Sequence, residues 1–293
     1  MNEFTSLGRE VFALFYAKAT WRCLQGGKAA EQFRPFFIIT TMKHFYLRTI
    51  FAWLMMTMLF PFAIHAAEGY KDGDVFTAQT EEGIEMTFKV ISVQYMTCQI
   101  GEGSFKKAAI PLMTEGNVTI PQTINGFHIT SIGNYAFEDC QNITSVVFPN
   151  TLTNIGFAAF RSCSNLRNVS FPKGLVTISD WAFAYCTSLE SIYIPNSVKN
   201  IGSRMLVGCV GLSKLEVEEG NTEYDSRDDC NAIILKQANS FYDTLLIGCK
   251  NTIIPNGVYY VGDFAFCDCT SLTSIVIPDS IIEIGRYAFI LCI

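Results

Sequence analysis

Histidine is scarce in this chain: His44, His65 and His128 are the whole supply in 293 residues. The first two flank an early apolar block, so with that block removed His128 is the one imidazole left. A Ser-His-Asp or Cys-His site would have to use it, and a histidine-rich metal cluster is excluded. Charge is sparse too, at 16% of residues, and basic charge is sparser beyond the early block. Up to Ala66 there are 7 Lys and Arg against 3 Asp and Glu; the remainder holds 14 against 24. Phosphate-backbone binding needs clustered Lys and Arg, so nucleic acid is not an expected partner. Nor is an anionic membrane surface. The acidic residues Glu216, Glu218, Glu219, Glu223, Asp225, Asp228 and Asp229 lack EF-hand or nonapeptide spacing and read as a solvated loop rather than a calcium site. Coupled acid and base groups are also missing, so the chain reads as a non-enzyme that needs no metal or cofactor.

What is present begins at Met42. Lys43, His44 and Arg48 make a basic start, Ile50–Ile64 is almost wholly apolar, and Ile64-His65-Ala66 ends on a small residue. Residues 42–66 thus read as a secretory signal cut before Ala67. An uncleaved anchor is the alternative. The run of ~15 residues falls short of the ~20 that span a bilayer, and Pro61 interrupts it. Residues 1–41 show neither period nor repeat, and translation is expected to begin at Met42. The next cysteine, Cys98, lies too far on for a lipid-anchored lipoprotein.

From residue 118 the chain repeats itself every 23 residues. Ile132, Ile155, Ile178 and Ile201 keep that spacing, as do Val261 and Ile284. So do Phe137, Phe160, Phe183 and Leu206, then Phe266 and Phe289. Cys140, Cys163, Cys186 and Cys209 follow suit, then Cys269 and Cys292. Pro149, Pro172, Pro195 and Pro278 close units, and Glu218 takes that place in the fourth. In each unit Leu-x-x-Val-x-Ile predicts a strand, and proline ends its pairing. Ala-Phe-x-x-Cys predicts a single helical or 3₁₀ turn on the opposite wall. One such coil buries too little to order its own backbone, so coils must stack. The expected fold is an α/β repeat solenoid of 23-residue coils with a parallel sheet along one face.

Eleven cysteines in an exported chain raise the question of disulfides. Six occupy one equivalent position, which favours reduced core fillers stacked one above another. Cys98, Cys230 and Cys249 lie off that column and are the better disulfide candidates, with no partner assigned. Cys267-Asp-Cys269 supplies too few ligands for zinc.

The period breaks once. Ile201 to Val261 spans 60 residues where two units would take 46, so 14 are extra. Ala232–Leu235 and Thr244–Ile247 predict a hairpin growing from one coil, within an insert at about 218–252. The units Ile132-Gly-Asn-Tyr-Ala-Phe-Glu-Asp-Cys140 and Leu189-Glu-Ser-Ile-Tyr-Ile-Pro195 resemble the BspA-like leucine-rich repeat family of bacterial surface proteins. Tyr224-Asp-Ser-Arg227, Asn231-Ala-Ile-Ile234 and Gly248-Cys-Lys-Asn-Thr252 look most like the inserts of Bacteroides-type members. The resemblance covers about 118–293. It implies surface display, adhesion and binding of host proteins such as extracellular-matrix components, and it carries no catalytic motif.

Before the array, residues 67–117 read as a β cap: Val75–Thr80 and Glu85–Ser92 bracket a turn at Glu81-Glu-Gly-Ile84. A small separate binding domain is the alternative. After Cys292 the chain stops within a unit, so a truncated product, or self-association through an open apolar face, is expected. The variable strand positions face out, and the middle coils place Arg167, Glu190, Tyr193, Lys214 and Glu216 there. A tyrosine flanked by mixed charges suits a partner-binding face, although a merely solvated sheet face has the same pattern. A secreted or surface-bound protein that binds other proteins is the leading expectation, and a structural, self-assembling one the runner-up.

Overall fold

The computed structural model describes residues 69–237 and 242–292. The signal segment, the Met42 start and residues 1–41 lie outside the described residues. Among the described residues no helix is long and apolar enough to cross a membrane.

Strands dominate. β1 (Val75–Gln79) and β2 (Glu85–Ser92) form an antiparallel hairpin, which β3 (Thr97–Ile100) extends. There follow β4 (Gly116–Thr119), β5 (Thr123–Ile124), β6 (Phe127–Ile132), β7 (Ile143–Val147), β8 (Asn154–Ile155) and β9 (Asn168–Ser170). Next come β10 (Thr177–Ile178), β11 (Ser191–Ile194), β12 (Asn200–Ile201) and β13 (Lys214–Val217). The later part holds β14 (Tyr224–Asp225), β15 (Ala232–Leu235), β16 (Asp243–Gly248), β17 (Val258–Val261) and β18 (Glu283–Ile284).

Two parallel ladders run through the repeats. One is built from the Leu-x-x-Val segments: β4, β7 and β9 in one sheet, β11 and β13 in another. The other is built from the short segments that precede the repeat glycines, in the order β3-β6-β8-β10-β12. In both, partners such as Ser145↔Asn168, Tyr193↔Glu216 and Ile155↔Ile178 stand 23 residues apart, so the sequence period is also the stacking offset. The period sets the core as well. Phe137, Phe160 and Phe183 stack almost parallel at 4.7 and 5.1 Å between ring centroids, and Phe266 and Phe289 do so at 5.0 Å.

The helical turn is not there. Among the described residues the one helical element is a 3₁₀ turn at Arg227–Asp229, inside the insert, and the Ala-Phe-x-x-Cys segments are tight turns. The α component of the expected fold is therefore corrected to strand and turn. Its physical reason lies in the backbone. Tyr135 and Asp139 in one unit, and Trp181 and Tyr185 in another, have φ near +60°. A left-handed residue at every fourth position ends any right-handed helix. Backbone N–H groups alternate instead. Those of Ala136, Glu138 and Cys140 donate three residues back, to Gly133, Tyr135 and Phe137. Those of Tyr135, Phe137 and Asp139 donate to Phe157, Ala159 and Arg161 of the next unit. The turn wall is thus a third inter-unit ladder, which an α-helix with all its bonds internal could not provide.

At the insert the hydrophobic core divides in two. The hairpin β15–β16 is present, but it does not project from a coil. It joins the sheet β14-β15-β16-β17-β18, with β16 and β17 parallel. Its alternating side chains serve both cores: Ile233 and Ile247 pack into the first, Ile234 and Leu245 into the second.

Candidate binding groove at the edge of the repeat sheet

The outward face of β7, β9, β11 and β13 alternates as the strand period requires. Ile192 and Ile194 are buried while Ser191 and Tyr193 are exposed. At β13 the ladder stops. Three side chains then do the work of a missing strand. Asn221 sits where Leu152, Leu175 and Val198 stand in earlier units, and it is buried. Its Nδ2 donates to the carbonyls of Pro195 and Val198 at 3.0 Å each, and its Oδ1 accepts from the N–H of Glu223 and Tyr224. The Tyr224 hydroxyl accepts from Ile201 N at 2.9 Å and so caps the edge of β12. Ser226 Oγ accepts from Val217 N at 2.9 Å and caps the edge of β13. An open strand edge invites pairing with another chain, and these side chains close it.

Closing it leaves a groove of about 450 Å³, lined by Tyr193, Lys214, Leu215, Glu216 and Val217 on the sheet side and by Ser226, Asp229 and Asn231 on the insert side. The Tyr193 ring is 49% exposed. Lys214 and Glu216 form an exposed ion pair at 2.8 Å across the strand face. Partial desolvation, with the Glu218 and Glu216 carboxylates beside it, pushes the Tyr193 hydroxyl above its ordinary pKa. Asp229 is exposed, and its carboxylate makes no hydrogen bond or ion pair with another described residue.

Of the five residues named from sequence, Tyr193, Lys214 and Glu216 come together here. Arg167 and Glu190 are exposed on the same run of coils, joined by the Glu190 N–H to Arg167 carbonyl bond, but they do not line the groove.

The repeats identify themselves by comparison. A family model described as BspA type leucine rich repeat region matches six copies, over residues 98–228 and 237–293. The chain belongs to the BspA-type leucine-rich repeat family. Among solved structures it is similar to the pneumococcal vaccine antigen PcpA, at 20% identity over 76% of this chain and 69% of that one, with a TM-score of 0.49. A leucine rich cell surface protein from Faecalibacterium prausnitzii is 21% identical over 73% of each chain, TM-score 0.33. A leucine-rich repeat protein from Bacteroides ovatus is 20% identical over 75% of this chain and 56% of that one, TM-score 0.42. The comparison with curated proteins gives no match.

Sequence reasoning about this BspA-type chain missed the insert wall. Asp229 belongs to the stretch whose composition predicts a solvated acidic loop, and Ser226 and Asn231 lie in the insert segments that carry the family resemblance, yet the insert is organised. Arg227 holds Asp225 through two hydrogen bonds, at 2.9 and 2.6 Å, and reaches Asp243 at 2.5 Å. Those bonds hold the guanidinium pKa above its ordinary value. The usable signal was the place of the break. The 23-residue offset holds through Asn221 and Tyr224 and is lost after them, so the segment that follows passes beside Lys214–Val217.

Proposed function

We propose that this BspA-type protein is a non-catalytic binding module, exported through residues 42–66 and displayed at the cell surface or secreted, whose outward sheet face binds other proteins. Adhesion to host extracellular-matrix or cell-surface proteins is its role on this reading. The strands, stacked at a 23-residue offset, form a solenoid capped at residues 67–117. One observation carries the proposal: a row of exposed strand positions ends in a groove floored by a half-exposed tyrosine and walled by the insert. Aromatic anchors in partly enclosed positions supply most of the energy at protein interfaces. The test is surface plasmon resonance against immobilised host matrix proteins. An Arg167→Ala, Tyr193→Ala double variant that folds normally should bind at least about ten-fold more weakly, as the loss of one hot spot implies. Unchanged binding removes this face from the reading.

Self-association is a second reading. It rests on exposed apolar side chains in the last described units: Val276 at 84% and Ile282 at 62% exposure, with Leu291 at 55%. Exposed apolar side chains concentrated in one stretch of chain suit an interaction site. Sedimentation velocity at micromolar concentration separates the two, since a monomer refutes assembly.

A further inference from the structure

We propose that the groove between β13 and the insert receives a lysine or arginine side chain from an extended segment of the partner protein, seated between the Tyr193 ring and the Asp229 carboxylate. The proposal rests on the outward sheet face being the binding face.

Charge complementarity selects the occupant. The groove holds one cation, Lys214, and that cation is already satisfied by Glu216 at 2.8 Å. The Asp229 carboxylate, on the opposite wall, has no partner among the described residues. Glu190 and Glu218 add two further carboxylates close by in the chain, the latter near enough to act on the Tyr193 hydroxyl. An anionic occupant would meet net repulsion. A cation gains the unpaired carboxylate and the face of an exposed aromatic ring, the arrangement that makes cation–π contacts favourable within about 6 Å.

Size and shape fit the same occupant. A volume of about 450 Å³ lies at the lower end of sites that enclose a small molecule, enough for one long side chain with its backbone. The floor is the last strand of its sheet, so an extended segment running along it keeps the pleat spacing. Ser226 already accepts the Val217 N–H, so the segment docks through its side chain and does not extend the ladder as another strand. Arginine's planar fork suits a single carboxylate with an aromatic plane beside it, and lysine would bind as a point charge.

Fluorescence anisotropy of the full chain with a labelled hexapeptide of alternating serine and arginine tests this. The expected result is saturable binding, weakened at least five-fold by Asp229→Asn and by Tyr193→Ala, and unchanged by Glu81→Gln on the distant β1–β2 turn. A hexapeptide of alternating serine and glutamate should not bind. Equal affinity of wild type, Asp229→Asn and Tyr193→Ala for the arginine peptide overturns the proposal, because the attraction is then only that of an acidic protein. Binding of a neutral oligosaccharide such as maltohexaose that depends on Tyr193, without a peptide response, also overturns it and assigns the groove to glycans. Failure here with matrix binding still lost in the Arg167→Ala, Tyr193→Ala variant refutes the cationic occupant and leaves the binding face standing. The reverse pattern, a peptide response dependent on Asp229 with matrix binding unchanged in that variant, supports the groove's occupant and removes this face as the matrix-binding site.

Discussion

Cys163 Sγ donates a hydrogen bond to the backbone carbonyl of Phe137, 26 residues earlier, at 3.1 Å. Cys186 does the same to Phe160, Cys209 to Phe183 and Cys292 to Phe266. Each of these carbonyls also accepts the N–H three residues on, from the cysteine of its own unit. The thiol therefore fills the second lone pair of a buried acceptor, a role that an alanine or valine cannot take. Cysteine at this column is a stacking bond as well as a filler. Cys186→Ala should lower unfolding free energy by about 1–2 kcal/mol, from lost packing and the loss of one of the two hydrogen bonds to the Phe160 carbonyl. Urea unfolding measures it, and a loss no larger than that of a half-buried, off-column Cys267→Ala would count against the bond.

The same burial makes stability fall in alkali. Desolvation pushes the thiols of Cys98 and Cys140 up to about 12, from a reference of 9.0, with Asp139 adding to the shift of Cys140. Below pH 9 both states are protonated and this contribution is constant. Between 9 and 12 the unfolded chain ionises first, so each group removes about 1.4 kcal/mol per pH unit. Urea midpoints should drop steeply over that window, and Cys98→Ala should flatten the slope by about one proton. A slope that Cys98→Ala leaves alone would show that the thiol does not titrate on unfolding.

An ion pair buried at its carboxylate end joins two units of the turn wall. Arg161 reaches Glu138 at 2.7 Å, and the Glu138 side chain is only 3% exposed. Arg161→Ala leaves that carboxylate without a partner and should cost about 1–3 kcal/mol. Adding Glu138→Gln should recover part of the loss, as the charge then disappears. Thermal denaturation of Arg161→Ala, Glu138→Gln and the double variant decides it, and additive losses would contradict the coupling.

The stacking offset was legible because period is a property of sequence alone: Ile155 and Ile178 are 23 residues apart in the chain and face each other in the ladder. The hairpin was legible from its apolar runs Ala232–Leu235 and Thr244–Ile247, and the second strand extends one residue further at each end, to Asp243–Gly248. The turn wall was not. Spacing of Ala, Phe and Cys fits a helical turn as well as two tight turns, and bulky Tyr135 and Trp181 give no hint that they adopt a left-handed backbone, which is rare for such residues. At the groove, strand alternation placed Tyr193 and Glu216 outward. The opposite wall depends on where an out-of-register segment returns, and long-range placement of that kind leaves no periodic trace.

Asn221 makes the end of the register testable. It replaces an apolar core residue of the earlier units and makes four hydrogen bonds to backbone, three of them buried. Asn221→Leu restores the repeat pattern, yet it should destabilise the protein by about 2–4 kcal/mol, since two carbonyls and two N–H groups lose partners in a buried site. Unfolding in urea, followed by the fluorescence of Trp181 in the preceding unit, reports it. A neutral or stabilising Asn221→Leu would mean that the insert does not depend on this side chain.

Gly208 and Tyr185 offer a test of how the stack crosses the insert. The Tyr185 hydroxyl donates to Asp268 Oδ2 at 3.0 Å, joining units separated by 83 residues of chain. Its ring crosses Gly208, whose equivalents in earlier units are Asp139, Ser162 and Tyr185 itself. A Cβ on Gly208 would lie 2.3 Å from Tyr185 Cδ1, and Gly208 has φ +72°. Gly208→Ala should therefore destabilise by about 2–4 kcal/mol, combining backbone strain with displacement of the ring. Tyr185→Phe removes only a part-exposed hydrogen bond and should cost about 0.5–1.5 kcal/mol. Tyr185→Ala combined with Gly208→Ala should be less harmful than the separate losses added together, because the clash is then relieved while the φ strain stays. Equilibrium unfolding of the four proteins closes this cycle, and strict additivity would show that the tyrosine does not bear on Gly208.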